Sequence, residues 1–248
     1  MLPRTLPARP SLADAALLAH TEQGREWPLL VWVPGPGVRM VSSAVLGGGI
    51  GAREWVVNAQ VPPGYDRLDP VAHLRELASG AGLSGPGVGL MTAASVADRR
   101  HAVDGGAHAV VTAGIGVRGW AAAPGAGGGA VPRPGTINIV VSLPVPLTDA
   151  ALVNAVATAT EAKTQALVEL GADASGTPTD AVCVAAPFPV GEGAEPFAGP
   201  TEPFAEPFAE PFAGPRSLWG ARLARAVHRA TREACAGLLA AERTGSVA

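Results

Sequence analysis

Two residue types are almost missing from this chain. Lys163 is the only lysine among 18 basic side chains, and Tyr65 is the only tyrosine. Asparagine occurs only as Asn58, Asn138 and Asn154. The two cysteines, Cys183 and Cys235, stand far apart and show no C-x-x-C spacing. That argues against a disulfide scaffold or a zinc site and suits the cytoplasm. No run of about 18 apolar residues is free of Gly, Pro and charge, which argues against a transmembrane helix and a membrane partner. Met1 to Pro10 holds prolines and arginines but no apolar block, so it does not read as a signal peptide. A net charge of -3 gives no footprint for nucleic acid. The signatures G-x-S-x-G, H-E-x-x-H and S-x-x-K are absent, and no glycine run precedes Lys163 as a phosphate-binding loop would require.

What is present is a drift toward Ala, Gly, Pro, Arg and Val. With 48% hydrophobic residues in 248, a full core can be buried. Against that drift, a residue type that has nearly vanished elsewhere ranks higher as a functional candidate where it persists.

Residues 1–28 read as a flexible lead-in with one short helix from Ser11 to His20, ahead of a single layered domain over 29–241. Strand patterns occur at Leu29 to Val33, Val38 to Leu46, Glu54 to Val61, Val88 to Thr92, His108 to Thr112, Thr136 to Leu143 and Asp180 to Ala186. Asp69-Pro70 opens a helix through Ser79, since Asp caps free N–H groups and Pro at the first helical position loses no hydrogen bond. Two long helices lie in the C-terminal half, Thr148 to Leu170 (stopped by Gly171) and Ser217 to about Ala241. Strands interleaved with helices predict an α/β or α+β domain with mixed sheets. Sheet order is not legible. Glu-Pro-Phe-Ala recurs at 195, 202, 206 and 210, so 195–215 reads as a low-complexity loop in which proline prevents helix and central strand.

Two glycine clusters imitate a dinucleotide fingerprint. Gly114-x-Gly116-x-x-Gly119 is followed by Trp-Ala-Ala-Ala-Pro-Gly, and Gly47-x-Gly49-x-x-Ala52 by another strand-like run. Neither offers the helix N-terminus that phosphate binding needs, so a Rossmann site is not expected. Gly47, Gly48, Gly49 and Gly51 have two readings: a backbone cradle for substrate or oxyanion, or a tight connection between strands. Asp98 and His101 could share a helical face but read as solvated surface. Arg222, Arg225, Arg229 and Arg232 also read as a solvated helix face, and His228 at its border as a structural histidine.

The helix from Thr148 is the most informative element. At 100° per residue, Leu152, Val156, Ala159, Leu167 and Leu170 share one arc, and Lys163 falls within it. Asn154, Thr158, Glu161 and Gln165 line the other face. A buried ammonium needs a partner, or its pKa falls; either outcome suits a catalytic role, whereas a snorkelling stem would not. Asp180, in Ser175-Gly-Thr-Pro-Thr-Asp180, is the expected partner, although the same run also has turn composition.

Taken in order, Ser42 to Gly51, Trp55 to Asn58, Gly85 to Ala94, Thr112 to Gly116, Gly135 to Val141, Asp149 to Lys163, Gly176 to Ala186 and Gly214 to Gly220 resemble the adenosylcobinamide amidohydrolase family. The resemblance spans most of residues 40–235; the lead-in and the repeats depart from it. It implies hydrolysis of the amide joining aminopropanol to the corrin ring, giving adenosylcobyric acid for cobalamin salvage. The cobalt belongs to the corrinoid substrate, and no protein-bound metal or cofactor is implied. The chemistry needs an activated nucleophile, donors for an oxyanion and an acid for the leaving amine. The expected assignment makes Lys163 and Asp180 a proton-transfer pair, with Thr177 or Thr179 as nucleophile or water-orienting hydroxyl. Asn58, Asn138 and Gly47–Gly51 are expected to bind substrate, Asn138 and the glycine backbone as donors. Self-cleavage before Thr136 or Thr177 is a variant. The other classes left open are a non-catalytic corrinoid-binding protein and an amidase for another amide. Assembly into a homo-oligomer is also left open.

Overall fold

The computed structural model describes residues 11–124, 135–189 and 209–244. These residues form two sheets. One has the order β1 (Ala16–Glu22), β2 (Arg25–Trp32), β5 (Trp55–Gln60), β6 (Gly87–Thr92), antiparallel except for the parallel β5–β6 pair. The other has the order β4 (Gly49–Ala52), β3 (Val38–Ser42), β10 (Ala181–Pro187), β9 (Thr136–Ser142), β8 (Ala107–Gly114), β7 (Arg100–Asp104). Only β10–β9 is parallel in this second sheet.

The central strands of both sheets are covered on both faces, so they read as nearly continuous apolar runs, whereas the edge strands β1, β4 and β7 are partly exposed. Leu30, Trp32, Val56, Val88 and Leu90 of the first sheet meet Val38, Met40, Val110, Val140 and Cys183 of the second. The alternate residues point the other way. Leu29, Val31, Val57 and Ala59 pack on Leu74 and Ala78 of α1 (Pro70–Gly80). Val111, Ile137, Ile139 and Val184 pack on Leu152, Ala159, Leu223 and Val227 of α2 (Asp149–Glu169) and α3 (Leu218–Arg243). The result is four layers, helix, sheet, sheet, helices. Asp69, Thr148 and Ser217 cap the three helices by accepting the N–H of Ala72, Ala151 and Gly220. None of these helices is long and apolar enough to cross a membrane.

The structure differs from the sequence reading at several places. The helix expected over Ser11–His20 is a single 3-10 turn, Leu12–Asp14, followed by β1. Ala and Leu favour a helix there, but pairing with β2 along its whole length overrides that preference. The segment holding His101 is the strand β7, not a helix, because Gly105 and Gly106 both take positive φ (52° and 93°) and turn the chain straight back into β8. Thr158 is buried rather than solvent-facing; α3 and its lead-in cover that side of α2, and the Thr158 hydroxyl donates to Ala213 O at 2.8 Å. Strand β10 begins at Ala181, one residue beyond Asp180. The first three Glu-Pro-Phe-Ala units lie wholly or largely outside the described residues.

The arginine face of α3 is pinned rather than free. Arg225 pairs with Asp104 of β7 at 2.6 Å and Arg232 with Glu169 of α2 at 2.9 Å, where His228 also bonds. Such exposed pairs contribute at most about 1 kcal/mol each.

Ile139 is fully buried between β9 and the two long helices. Ile139→Ala is expected to cost about 2–5 kcal/mol in urea denaturation, and Arg225→Ala under about 1 kcal/mol. Burial pushes the thiols of Cys183 and Cys235 up to about 12. Both should therefore resist alkylation at neutral pH until the chain unfolds, as mass spectrometry of treated protein would show.

Candidate active site

Lys163 sits on the buried side of α2, its side chain only 8% exposed, and forms an ion pair with Asp180, whose side chain is 13% exposed. Gly176 presses against this pair; a Cβ there would collide with both the Asp180 carboxylate and the Lys163 ammonium. The constraint on Gly176 is close approach to these two side chains, not turn conformation.

Asp180 collects four donors. Its Oδ2 accepts from Lys163 Nζ and from Thr177 N at 3.1 Å; its Oδ1 accepts from the Thr177 hydroxyl and from Ile137 N at 2.8 Å. An ionised carboxylate offers about four lone-pair positions, so this one is saturated. The arrangement suits a fixed charge that organises its surroundings better than a carboxylate that takes protons. It ties the turn 176–180 to the first residues of β9. The same clamp brings Thr136 and Thr179 to an oxygen–oxygen distance of 2.5 Å. Thr179 donates its proton to Gly135 O at 3.0 Å, so Thr136 must donate to Thr179.

A second polar group lies between the sheets. Asn138 donates to Met91 O at 3.1 Å and to Asn58 Oδ1 at 2.9 Å, and Asn58 donates to Thr112 Oγ1 at 2.9 Å. The Met91 carbonyl can only accept, which fixes the orientation of Asn138 and, through it, of Asn58. Both amide hydrogens of Asn138 are thereby used. What it can offer a ligand is its Oδ1, an acceptor. With both hydrogens engaged, Asn138 has no free N–H left for the oxyanion-donor role expected from the sequence.

These two groups meet at a cavity of about 580 Å³, within the usual range for a small-molecule site. Thr136, Asn138, Thr179 and Asp180 line its second-sheet side; Val61, Tyr65, Met91 and Thr92 are among the residues that line the rest. Lys163, Thr177 and Asn58 stand behind this wall, bonded to residues that form it. Gly47, Gly48, Gly49 and Gly51 are not brought to the cavity. Gly47 and Gly48 lie in the β3–β4 connection, where Arg53 covers their carbonyls, and Gly49 and Gly51 belong to β4 itself. Gly47 takes φ of +72°, and a Cβ there would strike the Gly87 carbonyl of the other sheet. The tight-connection reading of this cluster is the one the geometry favours. Gly114, Gly116 and Gly119 likewise lead into no helix through Pro124; Gly119 bridges to Gly176 instead. Thr136 and Tyr65 were missed as cavity residues. Thr136 opens a recognised strand motif, and Tyr65 carries the same scarcity signal as Lys163.

Removing one member of a buried ion pair strands the other. Lys163→Met is expected to cost about 3–5 kcal/mol, measured by chemical denaturation. A cost under about 1 kcal/mol would place the pair in effective contact with water.

Comparison with known proteins identifies the family. The family model described as adenosylcobinamide amidohydrolase matches residues 14–242, and so takes in the N-terminal hairpin as well as the cavity wall. An adenosylcobinamide amidohydrolase of Methanosarcina mazei is 36% identical over 143 residues, which is 58% of this chain and 67% of that protein. With its match running across nearly all the described residues, the chain belongs to the adenosylcobinamide amidohydrolase family.

Proposed function

We propose that the chain hydrolyses the amide joining aminopropanol to the corrin ring of adenosylcobinamide, releasing aminopropanol and adenosylcobyric acid for cobalamin salvage in the cytoplasm. The observation that carries this reading is the hydroxyl pair Thr136–Thr179 beside Asn138 in the wall of the cavity, in a chain of this family. The cavity takes the side chain bearing the scissile amide, with the macrocycle and its cobalt at the mouth as parts of the substrate. The Asn138 Oδ1 accepts the amide N–H, which holds the group in one orientation. Thr136 and Thr179 have committed their protons, so their open lone pairs accept hydrogens from a water and aim its oxygen at the amide carbon. Water, rather than a threonine, is then the nucleophile: the Thr179 proton faces a carbonyl instead of a base, and Thr177 lies behind the wall. Asp180 and Lys163 keep the two hydroxyls in place. Asn58 keeps Asn138 in place.

The test is product analysis with purified protein and adenosylcobinamide. Free aminopropanol and adenosylcobyric acid are expected in equal amounts. A shift in the corrin spectrum without aminopropanol would instead identify a corrinoid-binding protein, and release from other amides only would identify a different amidase. Thr179→Val keeps the volume and removes the hydroxyl; kcat is expected to fall by at least about 10-fold, in keeping with the sensitivity of catalysis to nucleophile placement. Unchanged kcat would remove Thr179 from the mechanism.

A further inference from the structure

The hydrolytic reading leaves one requirement open. A proton must leave the attacking water and another must reach the departing amine, yet Asp180 is saturated and the threonine protons are committed. The remainder of the cavity wall contains a group for this. Tyr65, on the connection between β5 and α1, lines the cavity. Its hydroxyl lies 3.0 Å from Nδ1 of His73, and the two rings stack with centroids 5.6 Å apart. His73 is 2% exposed on α1, and its Nε2 lies 3.3 Å from Oε2 of Glu22, a carboxylate buried at the end of β1.

The direction of each bond follows from the chemistry of the ends. Arg67 donates to both oxygens of Glu22 at 3.2 and 2.7 Å, and that hydrogen bonding holds Glu22 below the usual carboxylate range. An ionised Glu22 only accepts, and its negative charge facing Nε2 favours the tautomer with the hydrogen there. Burial, and next the Arg67 charge, hold His73 below the ordinary histidine value. It therefore rests neutral with an open lone pair on Nδ1, and the Tyr65 O–H must donate to it. His20, the other ring packed edge-on against His73 at 6.1 Å, is tied to Gln60 O at 2.7 Å and takes no part in the chain of bonds.

We propose that Tyr65 is the catalytic proton carrier of the amide hydrolysis, and that His73 and Glu22 are positioning residues acting through it. The proposal rests on the hydrolytic reading of the cavity. As the water oxygen bonds to the amide carbon, one water proton passes to the Tyr65 oxygen while the tyrosine proton passes to His73 Nδ1. The imidazolium so formed is stabilised by Glu22. The amide oxygen takes the electron pair of its carbonyl. When that pair returns, the C–N bond breaks. His73 gives its proton back to Tyr65, and Tyr65 gives one to the departing nitrogen. The products are the carboxylic acid and the amine, and the relay is restored. The one tyrosine of the chain is thus retained where a hydroxyl on a rigid ring is needed against a buried imidazole.

Tyr65→Phe keeps the ring and its stacking and removes only the hydroxyl. With adenosylcobinamide as substrate, kcat should fall by about 100-fold or more, as for loss of a general acid–base group, while KM and the corrin spectral shift on binding are retained. His73→Gln should lower kcat with KM unchanged. In the Tyr65→Phe background it should cause no further loss, because it acts only through the hydroxyl. Wild-type turnover with an equally active Tyr65→Phe variant would overturn the relay and leave the proposed function standing. Additive losses in the double variant would overturn the positioning role of His73. Absence of aminopropanol release by the wild type would overturn the proposed function and the relay together.

Discussion

The buried pair of Lys163 and Asp180 is the constraint on which the rest of the site depends. An ammonium and a carboxylate withdrawn from water are tolerable only if each is compensated, and here the carboxylate receives every hydrogen bond it can accept. Two of those bonds come from backbone N–H groups, of Ile137 and Thr177, in segments about forty residues apart. Satisfying one charge therefore fixes the relative position of the start of β9 and the turn before β10. The strands are parallel neighbours from there onward, with Ala181 opposite Asn138. The charge pair, the hydroxyl pair and the orientation of Asn138 in the cavity wall thus follow from a single clamp.

The same economy of direction appears on the other side. A backbone carbonyl, that of Met91, dictates which atom Asn138 turns toward the cavity, and a carboxylate, Glu22, dictates which nitrogen of His73 stays open. Both series of polar contacts end on a group that can only accept. Each forces the polarity of everything between it and the cavity, so the wall presents an acceptor amide oxygen and a tyrosine hydroxyl in defined states before any ligand arrives. This is preorganisation in the sense that matters for catalysis: little has to be reordered at the moment of reaction.

Much of this was legible in the sequence where a local cause controls the outcome. Asp69-Pro70, Thr148 and Ser217 marked helix starts because caps act within one turn, and the scarcity and helical position of Lys163 marked it as buried. The run Ser175 to Asp180 was recognised as its counterpart. Where a distant segment decides, the sequence was silent or misleading. Ala16 to His20 has helical composition but is held as a strand by β2. Thr158 sits on a face that only α3 buries. The glycines 47–51 carry a motif-like spacing whose actual cause is the approach of Gly87 from another sheet. Tyr65 and His73 are eight residues apart with an irregular turn between them, so no periodicity could join them. Glu22, on the first strand, was further out of reach.

The pairing of β3 with β10 has a consequence for how the molecule comes into being. Ser42 lies opposite Cys183, so the centre of the larger sheet joins segments separated by some 140 positions. The hairpin of β1 and β2 can close as soon as it leaves the ribosome, whereas β3 must wait for a partner made much later. Bringing such distant segments together is slow, because chain entropy is lost before any contact compensates it. Until β10 arrives, the apolar inner faces of both sheets lack their cover. The nascent chain is then at its most vulnerable to self-association, and completing the β3–β10 ladder is what ends that interval.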